Sequence, residues 1–139
     1  MTPEQRKDLV TRLLEKGRRK TEEEIQIILN ASKPDMEFLY THIRQYILAK
    51  FMLEPDCEED DLMELSALSL ARTMKIDRSL LKSLDTATPC DHATSESAKK
   101  VLLLFALQRD LGVKPDPAAM ADAKTVRELT ELIYKTGYL

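Results

Sequence analysis

The 139-residue chain has no tryptophan, three glycines, two cysteines and no apolar run approaching the roughly 20 residues that cross a bilayer. Each shortage excludes something. With so few glycines there is little material for the tight turns of a sheet protein, whereas the helix formers Leu, Ala, Glu, Lys and Met are abundant, so the fold class is all-α. Cys57 and Cys90 are a single distant pair, not a disulfide framework, and both read as reduced thiols. Base is not in excess either: a formal net charge of −3 excludes a globally basic nucleic-acid binder. No membrane insertion is expected, and the start, MTPEQRKDLV, reads as neither a signal nor a transit peptide, so the expected location is cytoplasmic. What is present is an ordinary folding composition, 43% hydrophobic and 32% charged, enough for a real core.

Helix signals recur along the chain. Thr2-Pro3-Glu4-Gln5 is a capping box with proline at the first helical position, followed by Leu9, Val10, Leu13 and Leu14 at helical spacing, and Gly17 marks a stop. Thr21 with Glu24 repeats the box and opens a second, short helix over about 22–31, which leaves KGRRK (16–20) as a basic turn. From Pro34, the residues Phe38, Leu39, His42, Ile43, Tyr46, Ile47 and Phe51 define a helix buried on two sides and ending near Leu53. The stretch EPDCEEDDLME (54–64) holds seven carboxylates and no base. It reads as the acidic start, near Asp56 or Cys57, of a helix running to about residue 75, with Met63, Ala67, Leu70 and Met74 as one stripe and Leu62 and Leu65 beside it. Ile76–Ser79 is a break before a short turn with Leu80, Leu81 and Leu84. Residues 85–94, DTATPCDHAT, form a loop.

Next comes ATSESAKKVLLLFALQRDLGVKP (93–115), in which hydroxyls and Glu96 precede an apolar helix from about Ser95 or Glu96 to Leu111, stopped by Gly112. PAAMADA forms at most a short helix, and Thr125-Val-Arg-Glu128 caps a last one bearing Val126, Leu129, Leu132 and Ile133. This layout of long helix, loop, serine before an apolar helix, LGV exit, short helix and TV-opened final helix resembles an acyl carrier protein over roughly residues 60–139. Laid on the family's Asp-Ser-Leu attachment motif without gaps, Glu96-Ser97-Ala98 takes its place. Val101, Leu103, Ala106-Leu107 and Leu111-Gly112-Val113 then fall on the apolar positions and exit of the motif helix. Ala98 stands where the family has leucine, no glycine precedes the motif, and Lys99 and Lys100 replace acidic or neutral residues.

The resemblance implies an acyl-carrier-like bundle at 56–139 behind a helical extension at 1–55. It implies attachment of 4'-phosphopantetheine to Ser97, with Glu96 as the motif's acid, and no catalysis by the chain itself. Its partners would be a phosphopantetheinyl transferase and acyl-transferring enzymes. The alternative is a carrier-fold protein-interaction module that is not phosphopantetheinylated, which the altered motif favours.

Three other groups invite chemistry. Cys90-Asp91-His92 suggests a thiolate beside an imidazole, but adjacency in sequence is not a catalytic geometry and a polar loop accounts for it. Glu58-Glu59-Asp60-Asp61 lacks the alternating ligands and central glycine of a calcium loop, and His42 on its apolar face has no converging partners, so no metal site is expected. His42 reads as a partly buried, hydrogen-bonded core residue.

Overall fold

The computed structural model describes residues 2–72 and 96–138. These form six helices and no strand: α1 (Pro3–Asn30), α2 (Met36–Lys50), α3 (62–72), α4 (Glu96–Leu111), α5 (Pro117–Asp122) and α6 (Val126–Gly137). The all-α class holds among the described residues, and none of their helices is long and apolar enough to cross a membrane. The break and turn expected at 76–84, the loop at 85–94 and the last residues of the helix expected to reach 75 lie outside the described residues.

Helix α1 corrects the expected pair of N-terminal helices. The Thr2–Gln5 capping box forms, with Thr2 accepting from Gln5 N–H at 3.1 Å and Gln5 accepting from Thr2 N–H at 2.8 Å. The helix then runs unbroken through Gly17 and Thr21. Three features outweigh the glycine's cost of about 1 kcal/mol. Gly17 lies against α2, where a Cβ would meet the Ala49 carbonyl oxygen at 3.2 Å, so it permits a close helix approach. Thr21 does not cap a new helix; it is buried and its hydroxyl donates back to the Arg18 carbonyl at 2.7 Å. Ion pairs one turn apart, Arg18 with Glu15 and Glu22 and Lys20 with Glu24, span the expected break. KGRRK is therefore helical rather than a turn.

Helix α2 is the central element. Asp35 caps it by accepting from Phe38 N–H at 2.8 Å, and Leu39, Ile43, Tyr46, Ile47 and Leu48 are buried. It packs against both α1 and α6. Its end falls at Lys50, short of Leu53, in two bonds: Met52 N–H to Ala49 O at 3.1 Å and Leu53 N–H to Leu48 O at 2.8 Å. This is a Schellman closure, and it puts Met52 at a φ of 60°, the left-handed position that glycine usually fills. The strain is about 1–2 kcal/mol.

The acidic stretch is not a helix start at Asp56 or Cys57. Residues 53–60 are non-helical apart from a turn, and α3 begins one residue after Asp61, whose carboxylate accepts from Glu64 N–H at 2.9 Å. The buried face of α3 is Leu62, Leu65, Ser66 and Ser69, while Met63 and Leu68 are exposed. The expected Met63 stripe is thus replaced by one containing two serines. Ser66 is compatible with burial because its hydroxyl donates to the Leu62 carbonyl at 2.8 Å.

Helices α3 and α6 start side by side. Leu62 N–H donates to Lys124 O and Val126 N–H donates to Asp60 O, both at 2.8 Å. Thr125 caps α6 as expected, accepting from Glu128 N–H at 3.1 Å, but Glu128 receives the Lys124 N–H instead of closing a box. One hydrophobic core joins Ile25 and Ile28 of α1, the α2 residues, Leu62 and Leu65, Leu103 and Leu107 of α4, Met120, and Val126, Leu129 and Ile133 of α6. Residues on both sides of position 55 share it.

Candidate functional site

Helix α4 carries the candidate attachment residue, and two contacts hold it in place. Tyr46 of α2, fully buried, donates its phenol to Asp110 at 2.8 Å near the end of α4. Burial first, and then the neighbouring carboxylate, push the Tyr46 pKa well above the usual phenol value. Burial alone would raise the Asp110 carboxyl, but hydrogen bonds from Arg109 and Tyr46 outweigh it and hold its pKa below the ordinary value. At the other end, Lys100 donates to the Ala121 carbonyl at 3.0 Å, placing an ammonium on the last turn of α5. The side chain expected to face a partner thus ties α4 to α5.

Glu96 and Ser97 lie exposed in the first turn of α4. Leu103, Leu104, Ala106, Leu107 and Leu111 face the core. Val101 does not: it is 46% exposed, and with Leu102 at 61% and Phe105 at 63% it leaves an apolar strip in solvent. Ser97, Val101 and Phe105 are spaced four residues apart and share one face, so the serine hydroxyl stands at the head of that strip. The Ser97 hydroxyl is therefore sterically open to another protein, and the helix dipole favours negative charge at this end. Among the described residues no histidine or carboxylate is hydrogen-bonded to the Ser97 side chain, and His42 is engaged elsewhere.

The remaining sequence candidates separate. Cys90, Asp91 and His92 lie outside the described residues, as do Thr94 and Ser95. His42 is partly buried and hydrogen-bonded as expected, its Nδ1 2.6 Å from the buried Glu24 carboxylate, which also pairs with Lys20 at 3.0 Å. The ring of Phe38 packs beside it, centroids 4.5 Å apart. The acidic cluster is dispersed. Asp61 caps α3, while Asp60 accepts from Tyr40 at 2.6 Å and pairs with Arg44 at 3.0 Å. Among the described residues no group of three or more histidines, cysteines or carboxylates is placed to hold a metal ion.

Sequence reasoning missed the exposed α4 strip, although a signal existed. The run VLLLFALQ (101–108) holds more apolar residues than one helix face can bury, and the surplus must face outward. No family model, no curated protein and no solved structure compared with the chain gives a match.

Proposed function

We propose that the chain is a carrier-like protein whose Ser97 bears a phosphopantetheine arm and presents a group tethered to its thiol to partner enzymes. The observation that carries this reading is the exposed Ser97 hydroxyl in the first turn of α4, heading the Val101–Phe105 strip, with short α5 and then α6 following in the order of the resemblance. In the attachment step a transferase moves the phosphopantetheinyl group from coenzyme A to Ser97 Oγ. A phosphate ester forms, the pyrophosphate bond of coenzyme A breaks, and adenosine 3',5'-bisphosphate leaves. Catalysis belongs to the partners; the strip supplies apolar area for them to grip.

The second reading is an interaction module of the same fold without the arm. Ala98 in place of the motif leucine and the engagement of Lys100 with α5 favour it. Intact-protein mass spectrometry after co-expression with a broad-specificity phosphopantetheinyl transferase separates the two. A mass increase of one arm, lost in Ser97→Ala with the fold retained, is the expected result. An unmodified protein beside a modified control carrier overturns the carrier reading and leaves the module.

A further inference from the structure

A cavity lies mainly in residues 13–55, with Arg72 of α3 completing its rim. The middle of α1, the end of α2 and residues 52–55 enclose an open-sided cavity of about 660 Å³, within the size range of small-molecule sites. Its apolar lining comes from Leu13, Leu48, Ala49, Met52 and Leu53. Its rim carries four cations, Lys16, Arg19, Lys20 and Arg72, and two carboxylates, Glu23 and Glu54. Three of these cations have carboxylate partners, Arg19 with Glu15 at 3.8 Å, Lys20 with Glu24 at 3.0 Å and Arg72 with Glu54 at 3.4 Å. Lys16 is exposed and makes no ion pair among the described residues. Two local oddities of the fold converge here. Gly17, in mid-helix, brings α1 close to Ala49, and Met52 keeps a side chain at a left-handed position where glycine would be unstrained. A flexible thioether is well suited to lining an irregular apolar site.

We propose that this cavity binds an amphipathic monoanion, an aliphatic body seated against Leu13, Met52 and Leu53 with its carboxylate or phosphate head on Lys16. Charge complementarity selects the head, and the apolar lining selects the tail. The site is independent of Ser97 and stands whether or not that serine is modified.

The test is isothermal titration calorimetry of the full chain with decanoate, decyl phosphate and decyltrimethylammonium, each below its micelle concentration. The expected result is binding of one or both anions and at least tenfold weaker binding of the cation. Comparing decanoate with decyl phosphate tells a carboxylate head from a phosphate head. Lys16→Glu, a change at an exposed side chain that makes no ion pair among the described residues, weakens anion binding about tenfold. Met52→Gly relieves the backbone while removing apolar lining, so the protein stays folded and binds the same anion about five- to tenfold more weakly. Equal affinity for anion and cation, no binding of either anion, or unchanged affinity in both variants overturns the proposal.

Discussion

Replacing Asp60 by alanine tests how the non-helical stretch before α3 is held. The Asp60 carboxylate accepts from Tyr40 Oη at 2.6 Å, pairs with Arg44 at 3.0 Å and lies 3.4 Å from the Arg127 backbone N–H. It thereby joins α2, the approach to α3 and the start of α6. Arg127 also covers the Tyr40 ring, its guanidinium carbon 4.1 Å from the centroid, and reaches Glu37 at 3.0 Å. Hydrogen bonds to a charged group contribute about 1.5–3 kcal/mol each when buried. The Asp60 side chain is 33% exposed, and Arg44, at 13%, keeps its second bond to the Cys57 carbonyl, so the sum must be discounted for solvent screening. The expected loss is about 2–3 kcal/mol, a fall in Tm of roughly 8–12 °C. Urea unfolding followed by far-ultraviolet circular dichroism suits a chain without tryptophan. Asp60→Asn is expected to recover part of the loss by keeping an acceptor for Tyr40, and a cycle with Tyr40→Phe is expected to show about 1 kcal/mol of coupling. Glu58→Ala, at an exposed neighbour, supplies the control and is expected to change stability by less than about 0.5 kcal/mol. An Asp60→Ala loss no larger than that of Glu58→Ala, or zero coupling to Tyr40, would refute the reasoning.

Two further predictions concern the placement of α4. Because the folded state raises the Tyr46 pKa above the ordinary phenol value near 10, its contribution is complete below pH 10 and is lost as pH rises towards the folded value. Stability should therefore fall by up to about 1.4 kcal/mol per pH unit above 10, and Tyr46→Phe should flatten that slope while costing about 1–2 kcal/mol at pH 7; pH-dependent urea midpoints check both. Gly112 ends α4 at a φ of 69°, and nothing lies within 4 Å of an added Cβ, so Gly112→Ala should cost about 1 kcal/mol from backbone strain alone, with Gly112→Asn costing less in the same denaturation assay.

Local chemistry explains which features were legible. The Thr2 box, the α4 exit at Gly112, the Pro117 start of α5 and the Thr125 cap depend on residues within one turn of each other, so a linear reading finds them. Gly17 and Thr21 misled because their usual role as helix punctuation was overridden by a neighbour. Gly17 sits where α2 passes and Thr21 is buried with its hydroxyl satisfied inside the helix. The α3 stripe misled for a related reason: hydrophobicity ranks methionine above serine, but a serine that returns its hydrogen bond to the preceding turn can occupy the buried face.

Composition and short-range spacing by themselves determined the all-α class, several of the helix caps and the position of Ser97 before an apolar helix. Only the tertiary structure decided that residues 3–30 form one helix, that Asp60 ties α2 to α6 and that Tyr46 anchors Asp110 across 64 positions of sequence. It also decided which part of VLLLFALQ stays in solvent. The division follows from range. Caps and periodicity are set by contacts a few residues apart, whereas burial, ion-pair partners and the cavity between α1 and α2 depend on which helices the core brings together.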